Sequence, residues 1–173
     1  MKAHNKTPQA TKAIAPAVHR LHATQSGVAG EYFVAAELSR RGYVATLTLR
    51  STRGIDILAS DADSTRSVGI QVNTSQYKSP TWLASKKAED SELAENLFFV
   101  FVSLNGLSEP SYHVVPRHVV VKHLRENHER WLSQPRRDGK PRKDTSMREF
   151  RDPEGKYRNR WDLLGLDVKA PAV

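Results

Sequence analysis

Three polar residues in the first half of the chain have types and spacings that suit a divalent metal ion. Asp56 lies within the otherwise apolar stretch 55–59, where an uncompensated charge would be costly. Gln71 and Asn73 are two residues apart in a second apolar stretch, so alternation along a strand would place both on one face. Buried amides need polar partners, and a metal ion with its waters would supply them. The structural alternative for Asp56 is a strand-end aspartate that a turn satisfies.

The elements that must position these residues follow from periodicity and from helix-ending signals. In order, we predict a helix from Ser26 ended by Gly42, strands over 43–49, 55–59 and 68–74, a weak helix over 81–96, strands over 97–102 and 112–115, and a helix that Pro116 opens. This order predicts one mixed central β-sheet flanked by helices, of the α/β (α+β) class.

Charge and composition limit the classes of function. The chain of 173 residues carries a formal net charge of +8 and no cysteine, which excludes disulfide frameworks and thiolate metal sites. Ten Lys/Arg against five Asp/Glu fall between residues 134 and 160. Such an excess favours polyanionic partners, because neutralising phosphates releases counterions, although an acidic protein would also fit.

We predict three segments: a flexible N-terminal arm (1–25), a core domain (26–133) and a basic C-terminal extension (134–173). No apolar run approaches the ~20 residues that span a bilayer, and the run near Ala13 is broken by Pro16. We therefore expect a cytoplasmic protein without a membrane partner.

The motifs resemble the core of a known superfamily in their joint order. They are Gly30-Glu31 on the first helix, Gly54-Ile55-Asp56 on the second strand and Ile70-Gln71-Val72-Asn73-Thr74-Ser75 on the third. Over residues 26–76 this layout resembles the PD-(D/E)XK nucleases, both restriction-endonuclease-like and Holliday-junction-resolvase-like. Each motif alone is short and common.

The resemblance implies a role for each matching residue. Asp56 would be the principal metal ligand, Gln71 would replace the usual glutamate, and the carbonyl of Val72 could complete the ligand shell. Glu31 would be an auxiliary ligand or would orient a water. The implied cofactor is Mg²⁺ or Mn²⁺, and the implied catalytic set is Glu31, Asp56, Gln71 and Asn73.

Asn73 departs from the superfamily pattern, in which this position is a lysine that positions the attacking water and stabilises phosphate charge. Asparagine carries no charge, so it cannot do the electrostatic part of that work. Three explanations remain open: a natural pseudonuclease, an introduced substitution that traps an inactive form, or a lysine role moved to Lys78 or Lys86.

The expected function is metal-dependent DNA phosphodiester hydrolysis, with endonuclease activity weakened or lost through Asn73. The alternatives are a non-catalytic nucleic-acid-binding pseudonuclease and a protein-interaction module. The residues expected to contact nucleic acid are Arg50, Arg53, Lys78, Arg136 and Arg137. A homodimer is a further expectation, because double-strand cutters of this superfamily often pair. The seven histidines show no ligand spacing, so we assign them to surface and packing roles.

Overall fold

The computed structural model describes residues 19–49, 54–89 and 96–167. Arg50 and Arg53 lie outside the described residues, as do residues 1–18 of the predicted N-terminal arm. The elements, in chain order, are α1 (Ala23–Arg40), β1 (Val44–Leu47), β2 (Ile57–Ser60), β3 (Ser67–Ser75), β4 (Thr81–Ser85), a 3₁₀ helix (Lys86–Glu89), β5 (Leu97–Ser103), β6 (Ser111–Pro116), α2 (Arg117–Ser133), β7 (Met147–Arg151) and a second 3₁₀ helix (Trp161–Leu164).

Five strands form a mixed sheet in the order β1-β2-β3-β5-β6. Strands β3 and β5 are parallel, with Gln71 opposite Phe99 and Asn73 opposite Phe101. The other neighbours in this sheet are antiparallel, and β4 and β7 form a separate antiparallel pair. The prediction of a mixed sheet flanked by helices is confirmed.

Side-chain alternation gives the central sheet two buried faces. On one face, Ile70 and Val100 pack in a cluster with Val34 of α1. On the other face, Phe99 packs in a cluster with Leu124 of α2. Burial on both faces explains why β5 is an almost continuous apolar run.

Helix α1 begins three residues before the predicted start at Ser26. Its N-cap is His22, whose Nδ1 accepts a hydrogen bond from the Thr24 N–H, while the Gln25 side chain accepts one from the His22 N–H. Ser26 is buried and its hydroxyl donates to the Ala23 carbonyl. A ring nitrogen of His22 thus caps α1, and the Ser26 hydroxyl does not. The predicted end is confirmed: Arg41 is the C-cap, and Gly42 follows at a φ of +86°, which favours glycine.

The weak helix predicted over 81–96 is wrong for residues 81–85, whereas residues 86–89 form the first 3₁₀ helix. Residues 81–85 form strand β4, in which Trp82 and Ala84 are buried. The Trp82 indole donates to the Val102 carbonyl at 2.9 Å. Strand β4 is stabilised by β7, a partner more than sixty residues away in sequence, and a local pattern does not reveal such a partner.

The basic extension contributes to the core. Phe150 of β7 is 1% exposed, and its ring stacks on Phe101 with a centroid distance of 4.3 Å. Trp161 is also buried. The domain boundary at residue 134 stays a prediction, but the described part of the extension is packed against the sheet on both of its faces.

Among the described residues, no helix combines the length and apolar character that crossing a membrane requires.

Candidate active site

Asp56 lies one residue before β2, at the point where β3 continues past the end of its neighbour. Its N–H donates to the Ile70 carbonyl at 2.8 Å, and its own carbonyl accepts from the Thr48 N–H at 2.9 Å. Its carboxylate oxygen Oδ2 accepts the Val72 N–H at 2.7 Å. Since Ile57 pairs with Ile70, Asp56 lies opposite Gln71. The Asp56 side chain therefore accepts the main-chain hydrogen bond of β3 that a longer β2 would have accepted.

Two opposing effects act on the Asp56 carboxyl. Burial disfavours its charged form and raises the pKa, and the hydrogen bond from the Val72 N–H lowers it by a smaller amount. The net result is a pKa above the ordinary aspartate value. A cation beside this carboxylate would favour the charged form and offset the effect of burial.

Gln71 and Asn73 place two amide side chains on the same face of β3. Oε1 of Gln71 and Nδ2 of Asn73 are buried and have no hydrogen-bond partner in the described part of the chain. Orphaned buried polar atoms are rare in folded proteins. Gln71 lies opposite Asp56 across the strand pair. Its amide oxygen is a ligand type that Mg²⁺ accepts, and the Asn73 amide N–H₂ can donate to a water or a phosphate oxygen. These residues fit a hydrated divalent cation.

The main chain of Val72 adds a third oxygen to this region. Its N–H points toward the β2 side, where it meets Asp56. The carbonyl of a strand residue points to the same side as its N–H, so the Val72 carbonyl also faces the gap beyond the end of β2. Asp56, Gln71 and Val72 are thus brought together by two adjacent strands.

Glu31 lies on a different element, α1. Helix α1 packs on the sheet face opposite to Gln71 and Asn73, and it approaches β3 most closely where Gly30 meets Thr74. A Cβ on Gly30 would lie 1.9 Å from the Thr74 hydroxyl oxygen, so only glycine permits this approach. Glu31 follows Gly30 directly and is half-buried. Its role toward the cation stays a prediction.

One solved structure decides what this arrangement of strands is. The chain is similar to the bacterial homing endonuclease I-Ssp6803I, with a TM-score of 0.51 and 12% identity over 83% of this chain and 91% of that one. The chain has the restriction-endonuclease-like fold.

A second solved structure, Archaeoglobus fulgidus Hjc, a Holliday junction resolvase from an archaeal hyperthermophile, aligns with a TM-score of 0.49 and 12% identity. The alignment covers 83% of this chain and 98% of that one. The sequence matches no family model and no curated protein.

Lys78 and Lys86, the two lysines that could replace a charge at position 73, lie in different surroundings. Nζ of Lys86 lies 3.0 Å from the Asp144 carboxylate, so this lysine forms an ion pair beside the β4–β7 sheet. Lys78 is exposed in the loop that follows β3. Among the two, only Lys78 extends from the strand that carries Gln71 and Asn73.

The predicted nucleic-acid contacts fall in two places. Lys78 lines a cavity with Arg20 and Arg158, whereas Arg136 and Arg137 are exposed around a separate surface cavity after α2. Sequence reasoning missed Arg20 and Arg158 as partners of Lys78. The three cations come from three distant segments of the sequence, so no local pattern could have joined them.

In the described ranges, no group of three or more His, Cys, Asp or Glu side chains converges on one point. His113 is buried, with Nδ1 2.6 Å from Asp152 and its ring 4.7 Å from Trp82. Asp152 also accepts the main-chain N–H groups of Lys156 and Tyr157. These contacts agree with a packing role for His113.

Proposed function

We propose that the protein acts on DNA through a metal-dependent phosphodiester-hydrolysis site whose activity is weakened or absent because Asn73 stands in place of a lysine. The observation that carries the proposal is the carboxylate of Asp56, fixed by the Val72 N–H and opposite the orphaned oxygen of Gln71. The similar solved structure is an endonuclease, and the net charge of +8 favours a polyanionic substrate.

The protein's own groups divide the work at this site. Asp56 supplies the charged ligand, while Gln71 and the Val72 carbonyl supply neutral oxygens, which bind a cation less strongly than carboxylates. Glu31 would add a second carboxylate or orient a water. Bound Mg²⁺ or Mn²⁺ would polarise the phosphate and lower the pKa of its water.

Asn73 can hold a water or a phosphate oxygen through its Nδ2, but it cannot stabilise developing negative charge as a lysine would. Removing one positioned donor from such a site commonly lowers the rate by ~10²–10³. This deficit is the physical reason that we propose weak or absent cleavage.

Metal binding tests the site without requiring activity. We expect Mn²⁺ binding by calorimetry in the unaltered chain and its loss in Asp56→Ala. Asp63→Ala is the matched control, because Asp63 is an exposed aspartate in the β2–β3 connection. Binding that persists in Asp56→Ala would show that the cation is held elsewhere.

Cleavage tests the role of position 73. Asn73→Lys should raise Mg²⁺- or Mn²⁺-dependent cleavage of DNA by ~10²–10³, measured on duplex, nicked, branched and single-stranded substrates. Asn73→Met, which provides length without charge, is the control and should stay at the level of the unaltered chain. No cleavage by Asn73→Lys on any of these substrates would contradict a latent nuclease.

A non-catalytic nucleic-acid-binding protein is the second candidate. It is favoured by the same residue, Asn73, together with the neutral amide of Gln71, because the site retains few of the charges that hydrolysis needs. Binding of DNA that is unaffected by Asp56→Ala, with no cleavage from Asn73→Lys, would support it. Absence of any salt-sensitive DNA binding would instead favour a protein-interaction module.

A further inference from the structure

A cavity of about 620 Å³ opens beyond the ends of the two parallel strands. It lies where the loops that follow β3 and β5 meet the segment before α1. Residues from all three segments, and Arg158 from the extension, line it. Ligands of open α/β sheets commonly bind beyond the carboxyl ends of parallel strands, and β3 is the strand that carries Gln71 and Asn73.

Hydrogen bonds fix the walls of this cavity. The Gln76 side-chain amide binds both main-chain groups of Leu21: its Oε1 accepts the N–H at 2.8 Å, and its Nε2 donates to the carbonyl at 2.7 Å. The Leu104 N–H donates to the Ser75 carbonyl at 2.9 Å. The segment before α1 and the ends of β3 and β5 are thereby held together, so the lining is built in advance of any ligand.

The lining is positively charged. Arg20, Lys78 and Arg158 contribute three permanent cations against one carboxylate, Glu109. Within the described part of the chain, the side chains of these three cations form neither ion pairs nor hydrogen bonds. The positive end of the α1 dipole points to the same region, since the helix begins at Ala23. The cavity therefore favours an anion such as a phosphate.

Two further features go beyond what a simple anion requires. Tyr77 also lines the cavity, and its side chain is 62% exposed, which leaves an aromatic face free for stacking. Asn105 lines the cavity as well, and its Oδ1 is buried without a hydrogen-bond partner among the described residues. The cationic side chains suit a phosphate, Tyr77 suits a planar base, and the Asn105 Oδ1 suits an N–H or O–H donor. A nucleotide provides all three groups.

We propose that this cavity binds an unpaired nucleotide in the strand that leaves the candidate active site. The phosphates would contact Arg20, Lys78 and Arg158, and the base would stack on Tyr77. Tyr77 follows Ser75, the last residue of β3, by two positions, so the stacked base would lie in the strand just beyond the candidate site. A base must be unpaired to stack on a side chain, so the substrate carries a single-stranded flank. This inference rests on the proposed function.

The test compares two labelled oligonucleotides by fluorescence anisotropy in EDTA: a blunt duplex, and the same duplex with a single-stranded overhang. The unaltered chain should bind the overhang substrate more tightly. Tyr77→Leu should weaken that binding about 5- to 150-fold, the range expected when one base no longer stacks on an aromatic ring, and should abolish the preference. Tyr77→Phe keeps the ring and should bind like the unaltered chain.

Charge is tested separately. Arg20→Gln with Lys78→Gln should reduce the salt slope of overhang binding by about 0.7 for each phosphate that is no longer neutralised. The matched control is Lys87→Gln with Lys122→Gln, a pair of exposed lysines outside the cavity, which should leave the slope unchanged.

The outcomes separate this inference from the proposed function. Equal binding of both oligonucleotides by the unaltered chain, or unchanged overhang binding in Tyr77→Leu and in the Arg20/Lys78 double variant, overturns the inference. Mn²⁺ calorimetry on the same variants should match the unaltered chain. If no variant binds Mn²⁺ but the overhang preference follows Tyr77, the metal-site proposal fails while the nucleotide cavity stands.

Discussion

The carboxylate of Asp56 accepts a main-chain hydrogen bond from β3 and, in the proposed function, also holds a cation. The first role needs only a hydrogen-bond acceptor for the Val72 N–H. The second role needs a negative charge in a place where burial raises the pKa of the carboxyl. In the absence of a cation these demands conflict, and sites that bind or react often reduce the stability of the fold in this way.

The conflict gives a pH-dependent prediction. Because the folded-state pKa of Asp56 lies above its unfolded value of about 3.9, protonation stabilises the folded chain. That contribution is complete below the unfolded pKa and is lost as the pH rises through the folded pKa. Asn imitates the protonated carboxyl and can still accept from Val72. Asp56→Asn should therefore have a higher Tm than the unaltered chain at pH 7 in EDTA.

The same difference should shrink as the pH falls through the folded-state pKa of Asp56, since both side chains are then neutral. Thermal denaturation across this range, with Asp63→Asn as the exposed control, makes the measurement. A lower Tm for Asp56→Asn at pH 7 would mean that the charge of Asp56 stabilises the metal-free fold, contrary to our reasoning.

At the level of elements, the position of α1 depends on its contact with β3. Gly30 lies against Thr74, while Gly27, one turn earlier, has no atom within 4 Å of where its Cβ would be. Because both glycines lie in the same helix, the same substitution made at each position separates the effect of helix propensity from the effect of packing. Alanine is the better helix former at both positions.

We expect opposite results from two identical substitutions. Gly27→Ala should stabilise the protein by roughly 0.5–1 kcal/mol. Gly30→Ala should destabilise it by about 1–3 kcal/mol through overpacking. Combining Gly30→Ala with Thr74→Ala removes the closest atoms and should recover part of the loss. Urea denaturation of these variants tests this, and a stabilised Gly30→Ala would contradict the close approach.

The β4–β7 sheet gives a second prediction at this level. Phe150→Ala should lower the free energy of unfolding by about 3–5 kcal/mol, because Phe150 is buried and stacked on Phe101. Leu83→Ala is the control on the outer side of the same sheet, where Leu83 is 62% exposed, and should change stability by less than about 0.5 kcal/mol. Denaturant unfolding measures both, and equal effects would mean that β7 is not part of the core.

The central sheet could be predicted from the sequence, but the two-stranded β4–β7 sheet could not. Strands β2, β3 and β5 have strong apolar patterns, so Asp56 and Gln71 could be assigned to neighbouring strands from the sequence alone. Strand β4 has a weak apolar pattern, because its stability comes from pairing with β7, which follows α2 in the sequence. The cavity around Lys78 was equally hidden, since its charges converge only after folding.

For the molecule as a whole, the net charge of +8 is spread over more than one surface. Deleting residues 134–173 would remove Phe150 and Trp161 from the core, so loss of binding in such a variant would not identify a basic surface. Substitution of exposed charges avoids this difficulty, because the fold is kept.

We predict that Arg136→Gln with Arg137→Gln weakens duplex DNA binding and reduces its salt slope by about 0.9 for each phosphate that these arginines neutralise. Binding measured between roughly 50 and 200 mM salt gives the slope. The variant with Lys at both positions keeps the charge and should keep the slope. An unchanged slope in the Gln variant would mean that these arginines face no phosphate.

The pairing of β3 with β5 also has a consequence for how the chain is made. The face of β3 that carries Gln71 and Asn73 is packed beside Phe101, which Phe150 covers. During synthesis at about 5–20 residues per second, Phe150 leaves the ribosome roughly 2–9 seconds after the end of β5, which carries Phe101. For that interval the aromatic face of the sheet has no cover from β7. The nascent chain therefore exposes this aromatic face, beside the strand that carries the candidate site, until β7 has been made.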